Sequence, residues 1–127
     1  LDLKDYNEAL KYYFKIEYND PGNLNILRPI AYCYLALGRF GDSQKYYNRL
    51  SSGKLTANDL INMGHLALCQ GNKKEAVDLY RRSIISGEVT KEKFMTIFSD
   101  DKSLLISSGV NPDDLPILLD YLLFTFG

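Results

Sequence analysis

The chain runs through one pattern more than once. "RPIAYCYLALGRFGDSQKYYNRL", residues 28–50, and "NMGHLALCQGNKKEAVDLYRRSI", residues 62–84, each carry an apolar run closed by a glycine, then a small residue four places before a tyrosine. Leu27 pairs with Leu60, Ile30 with Met63, Gly38 with Gly71 and Tyr47 with Tyr80, each 33 residues apart. A half copy precedes them at a spacing of 34, pairing Tyr6 with Phe40, Ala9 with Ser43 and Tyr13 with Tyr47. The shortening falls in a loop, "SSGKLT" against "NDPGN", where it costs little. A period of this length restricts the fold more than composition does. Each copy is one supersecondary unit whose apolar face needs a neighbouring copy to cover it.

Within each copy the apolar residues fall at helical spacing. Leu27, Ile30, Ala31, Tyr34 and Leu35 form one face, and Phe40, Tyr46, Tyr47 and Leu50 the next. Two helices per copy follow. Gly38 and Gly71 end the first helix of each pair, since glycine tolerates the left-handed backbone found there. Small residues Ala31, Ser43, Gly64 and Ala76 fall where the paired helices approach closely. Pro29 falls inside a first helix, where it removes one backbone hydrogen bond and frees the carbonyl of Asn25.

This pattern resembles the tetratricopeptide repeats, whose signature is W-x2-L-G-x2-Y, then A-x3-F, then P. The second copy offers Leu27-x2-Ile30-Ala31-x2-Tyr34 and Ser43-x3-Tyr47. The third offers Leu60-x2-Met63-Gly64-x2-Ala67 and Ala76-x3-Tyr80, and the first only Ala9-x3-Tyr13 and then Pro21. Leucine stands at the tryptophan position in both full copies. The resemblance covers residues 1–86 and implies an all-α, tetratricopeptide-like helical-hairpin solenoid of about two and a half repeats with a C-terminal helical cap. Its parts are residues 1–22, the second helix of an incomplete repeat, two repeats at 23–55 and 56–88, and a non-repeat cap at 89–127. The chain reads as the C-terminal part of something longer, so Leu3, Tyr6, Leu10, Tyr13 and Phe14 are expected to be exposed or covered by another copy.

After Gly87 the period stops and three shorter helices are expected, with Thr90, Ser99 and Asn111 as N-caps and Pro112 at a first helical position. The pairs Asp100, Asp101 and Asp113, Asp114 read as first-turn acids that favour the positive end of a helix. The last helix is apolar nearly all round, from Leu115 to Phe126. It either folds back into its own array, the preferred reading, or meets a second chain.

Nothing in the order of residues carries chemistry. The single histidine, His65, has no partner close in sequence, Cys33 and Cys69 lack CxxC spacing, and no phosphate loop occurs, so neither catalysis, metal nor cofactor is expected. Both cysteines sit among apolar residues and read as reduced and structural. Fifteen basic residues against sixteen acidic give the chain no electrostatic footprint for nucleic acid. No apolar run reaches the roughly 18 residues of a membrane span, and a cytoplasmic setting is expected.

What remains is a non-catalytic scaffold that binds a protein or peptide partner, by resemblance in the concave groove lined by the first helices. Counting from the core-facing positions places Asn25, Arg28, Pro29 and Tyr32, and then Asn58, Asn62 and His65, on the adjoining face. Arg28 can clamp a carboxylate, Asn62 can grip a peptide backbone, Tyr32 offers a flat contact, and His65 would make binding pH-dependent. The bland alternative is a solvated face, or residues that pair with the tail. The functional alternatives are an oligomerisation element, a homodimer through residues 1–18 or 112–126, and a secretion-type chaperone of the same fold.

Overall fold

A computed structural model describes residues 3–126, and the side chains of residues 5–124. The expectations for what precedes Leu1, and for the side chains of Leu3, Thr125 and Phe126, lie outside the described residues. All regular structure among those residues is helical. It comprises α1 (Leu3–Asn19), a short 3-10 turn (Leu24–Ile26), α2 (Leu27–Ala36), α3 (Phe40–Leu50), α4 (Ala57–Cys69), α5 (Lys73–Ile85), α6 (Lys91–Asp100), α7 (Lys102–Ser107) and α8 (Asp114–Phe126). Contacts cluster into two units, residues 1–55 and 56–127, which divide where one copy of the repeat gives way to the next.

In the first unit, α2 packs against both α3 and α1. The α2–α3 turn is set by Gly38 at φ 76°. The Gly38 N–H donates to Leu35 C=O at 3.0 Å and the Arg39 N–H to Tyr34 C=O at 2.9 Å, the paired bonds of a Schellman motif. Leu27, Ile30, Leu35, Tyr47 and Leu50 are buried between the two helices. Ala31 and Ser43 lie fully inside with them, and the Ser43 hydroxyl donates to Ala31 C=O at 2.8 Å. Leu10 of α1 is buried too, and Phe14 comes within 6.3 Å of Tyr34, ring centre to ring centre. The expectation that Leu10 is exposed is therefore corrected, because α2 covers the inner face of α1. Pro29 also departs from its reading. With α2 starting at Leu27, it stands in the first turn, where an N–H has no helical partner in any case, so it breaks no bond within the helix.

The second unit repeats the construction. Thr56 and Asp59 close a capping box at the start of α4, and Gly71 at φ 80° ends it with the same two bonds, Gly71 to Leu68 and Asn72 to Ala67. Gly64 lets α5 come close, since a Cβ there would stand 2.5 Å from the Tyr80 ring. Ala67, Ala76, Leu79 and Tyr80 are buried, but Met63, expected in the core, is only half-buried.

The tail joins this second unit through α5–α8 and α4–α7 contacts. Thr90 caps α6 as expected, accepting from the Lys93 N–H at 3.0 Å. Ser99 does not cap a helix. It lies inside α6, which runs on to Asp100. Asn111 accepts the Asp113 N–H at 3.0 Å, and α8 opens only at Asp114, leaving Pro112 in the turn before it. Leu115 and Leu122, seven residues apart, are buried, so α8 folds back onto its own unit along one stripe. Its opposite stripe stays in solvent.

Candidate functional site

Four of the expected site residues belong to the first unit. Arg28 is tied down within it. Its guanidinium donates to Asn25 Oδ1 at 2.7 Å and to Lys54 C=O at 3.1 Å, fastening the start of α2 to the loop after α3. The Asn25 N–H donates to Asn23 Oδ1 at 3.1 Å. Tyr32 is half-buried with its ring 6.2 Å from Tyr6, and Pro29 is half-buried in the turn between. This face is held in one shape by neighbours on α1 and in the loops.

The other three lie on α4, and they part company. Asn58 is exposed and Asn62 half-buried, and neither side chain makes a hydrogen bond among the described residues. His65 is fully buried, so the expectation that it lines an open face is corrected. Its Nδ1 lies 2.6 Å from the Tyr80 hydroxyl and its Nε2 2.9 Å from Asp101 Oδ2. A carboxylate only accepts, so Nε2 carries the hydrogen and Nδ1 accepts from the tyrosine O–H. Both nitrogens are engaged by the chain itself, and none remains for a ligand.

Aromatic rings seal this network. Phe98 lies edge-on to both His65, at 5.8 Å, and Tyr80, at 5.5 Å, and Phe94 adds an edge contact with Tyr80 at 5.7 Å. Burial holds the Tyr80 hydroxyl well above its ordinary pKa, reinforced by Cys69 and Asp101 nearby, and so keeps it a donor. Asp101, a first-turn acid by its place in the sequence, makes no capping bond, and its carboxylate turns to His65 instead. The pairing is 36 residues long in sequence, which local reading cannot find. The network therefore fixes the α6–α7 corner onto α4.

This unit also carries an apolar cleft. It has a volume of about 550 Å³ and opens between the end of α4, the start of α5 and the start of α8, walled by Leu68, Val77, Val110, Leu118 and Tyr121. Gly71 and Gly109, both at positive φ, line it as well. Lys73 bridges its edge to Asp114 at 2.9 Å. Lys74 stands beside it, exposed and without an ion pair among the described residues. The only trace in the sequence is the excess of apolar residues on α8. Which of them would face α5 depends on a fold-back that periodicity does not specify.

No helix among the described residues is long and apolar enough to cross a membrane, and no group of histidine, cysteine and acidic residues among them could hold a metal ion. Comparison with protein-family models, curated proteins and solved structures finds no match to this chain.

Proposed function

We propose that the chain is a non-catalytic protein-interaction module of the tetratricopeptide kind, in which the first helix of each pair, α2 in one unit and α4 in the other, offers a face to a peptide or helix of a partner. The matched construction of the two pairs supports the repeat reading, since each uses the same glycine turn and sets a small residue, Ala31 or Gly64, where its helices meet. One observation carries the binding reading. Asn62 holds a carboxamide on α4 that is half-buried and makes no hydrogen bond among the described residues, so its donor and its acceptor are both open to a partner. A partner backbone supplies both a donor and an acceptor to it. Arg28 and Tyr32, already fixed by Asn25, Lys54 and Tyr6, would lose little freedom on binding. The thiols of Cys33 and Cys69 are free, which suits a reducing, cytoplasmic setting.

The test starts from partners cross-linked to the chain in lysate, identified, purified and titrated against it. Asn62→Ala should weaken a true partner by about tenfold while helicity is unchanged. An affinity untouched by Asn62→Ala and Tyr32→Ala together sinks the reading. A second reading, self-assembly, draws on the exposure of Phe124 in α8, and predicts a mass that rises with concentration and falls with Phe124→Asp.

A further inference from the structure

Residues 91–107 keep one helical phase across the joint between α6 and α7. Phe94, Phe98 and Leu105 are fully buried, and with Asp101 they follow one another at steps of four, three and four, the spacing of a single helix face. Glu92, Met95, Ser99, Ser103 and Ile106, drawn from both sides of the joint, are exposed on the opposite face. Neither glycine nor proline lies between Thr90 and Ser108 to end a helix there. Burial therefore describes one continuous helix.

The backbone does not follow it. The helix stops at Asp100 and restarts at Lys102. At the joint the Asp101 N–H donates to both Ile97 C=O, at 3.1 Å, and Phe98 C=O, at 3.2 Å, and Asp101 C=O accepts from the Leu105 N–H at 3.2 Å. A local cause would be a side-chain cap, and the Asp101 carboxylate makes none. It turns instead to the buried His65, 2.9 Å away on α4. A continuous helix would hold Phe94, Phe98 and Leu105 on the same inner face, so little burial separates it from the jointed form.

We infer that the His65–Asp101 bond is the latch of a conformational switch: while it is made, residues 91–107 stay broken at Asp101, and once it is lost they close into one helix. The switch reaches the cleft. α7 leads into Gly109, Val110 and Asn111, which line it, and the Val110 N–H is tied to Leu105 C=O at 3.0 Å, so straightening carries that lining with it. None of Arg28, Tyr32 and Asn62 takes part, so the switch stands or falls separately from the reading of α2 and α4.

Amide exchange followed residue by residue by NMR in the full chain tests it. A continuous helix pairs the N–H groups of Lys102, Ser103 and Leu104 with the C=O groups of Phe98, Ser99 and Asp100. Asp101→Ala removes the latch from one side and His65→Phe from the other. In each variant these three amides should exchange about tenfold more slowly than in the parent chain, and the amide shifts of Gly109, Val110 and Asn111 should change. Asp100→Ala makes the same chemical change one residue earlier, at an exposed position, and should do neither, which separates the latch from helix propensity. Unchanged exchange at the three amides in both latch variants overturns the inference, as does equal slowing in Asp100→Ala. Faster exchange throughout residues 91–107 overturns it too, because the bond then only fastens the corner to α4.

Discussion

Single residues here act through contact distance or through backbone angle, and two glycines separate the effects. At Gly64 a methyl group would meet three Tyr80 ring atoms at 2.5 to 2.9 Å, so Gly64→Ala forces α4 and α5 apart. At Gly38 a Cβ meets nothing within 4 Å, and only the φ of 76° resists it. Denaturant unfolding should show Gly64→Ala costing about 2 kcal/mol or more and Gly38→Ala only about 1 kcal/mol. Equal costs would mean that the Tyr80 ring can move. His65 joins this packing. Its removal leaves the buried Tyr80 hydroxyl without its acceptor, so His65→Ala should lose about 3 kcal/mol, cavity included. Asp101→Asn keeps an oxygen for the Nε2 hydrogen and should lose less than half of that, by the same measurement. Gly64 was legible in the sequence because helix pairing alone demands a small residue there. The fate of His65 was not, because its surface position in the repeat count says nothing about a tail that returns to cover it.

At the scale of elements, the helices were legible wherever apolar period and punctuation agreed. Residues 27–36 and 57–69 end where their glycines place them, but α2 begins three positions later in the repeat than α4, with a 3-10 turn at Leu24–Ile26 in place of the capping box that Thr56 and Asp59 form at the start of α4. The tail was legible as three helices but not in its joints, since Asp101 serves at once as the end of α6 and the beginning of α7, a role that capping preferences assigned to Ser99. The two faces of α8 give the prediction that belongs here. Leu122 is fully buried and Phe124 almost wholly exposed, only two residues away. Leu122→Asp places a charge in the interior and should release α8, which amide exchange across residues 114–124 would report as lost protection. Phe124→Asp should leave both exchange and stability within about 0.5 kcal/mol of the parent chain. Equal protection in the two variants would mean that α8 is not held by the Leu115–Leu122 stripe.

For the whole molecule, the repeat made the all-α class legible, because a period of 33 residues with helical spacing inside it leaves little else for the chain to form. The candidate site was less legible, since periodicity sets the face of each helix and not the segments that come to lie on it. One molecule-wide property follows from those burials. Tyr34, Tyr46 and Tyr80 are all raised above the ordinary tyrosine value of 10.0, and Cys33 and Cys69 above 9.0, with burial the leading cause in each. When these groups deprotonate in the unfolded chain, the folded chain still holds its protons, so folding becomes less favourable as pH rises. The contribution is fully present below the unfolded values and is lost from about pH 9 upward as pH rises toward the folded ones. Unfolding midpoints should therefore be flat with respect to these groups near neutrality and fall steeply in alkali. Tyr80→Phe separates Tyr80 from the rest. It removes the donor to His65 and so lowers stability at pH 7, but it deletes the group most strongly held in its protonated form, and its alkaline decline should be shallower. Parallel curves for the two chains above pH 10 would show that Tyr80 ionises as readily inside the fold as outside it, and that the cluster of His65, Phe94 and Phe98 around it admits water.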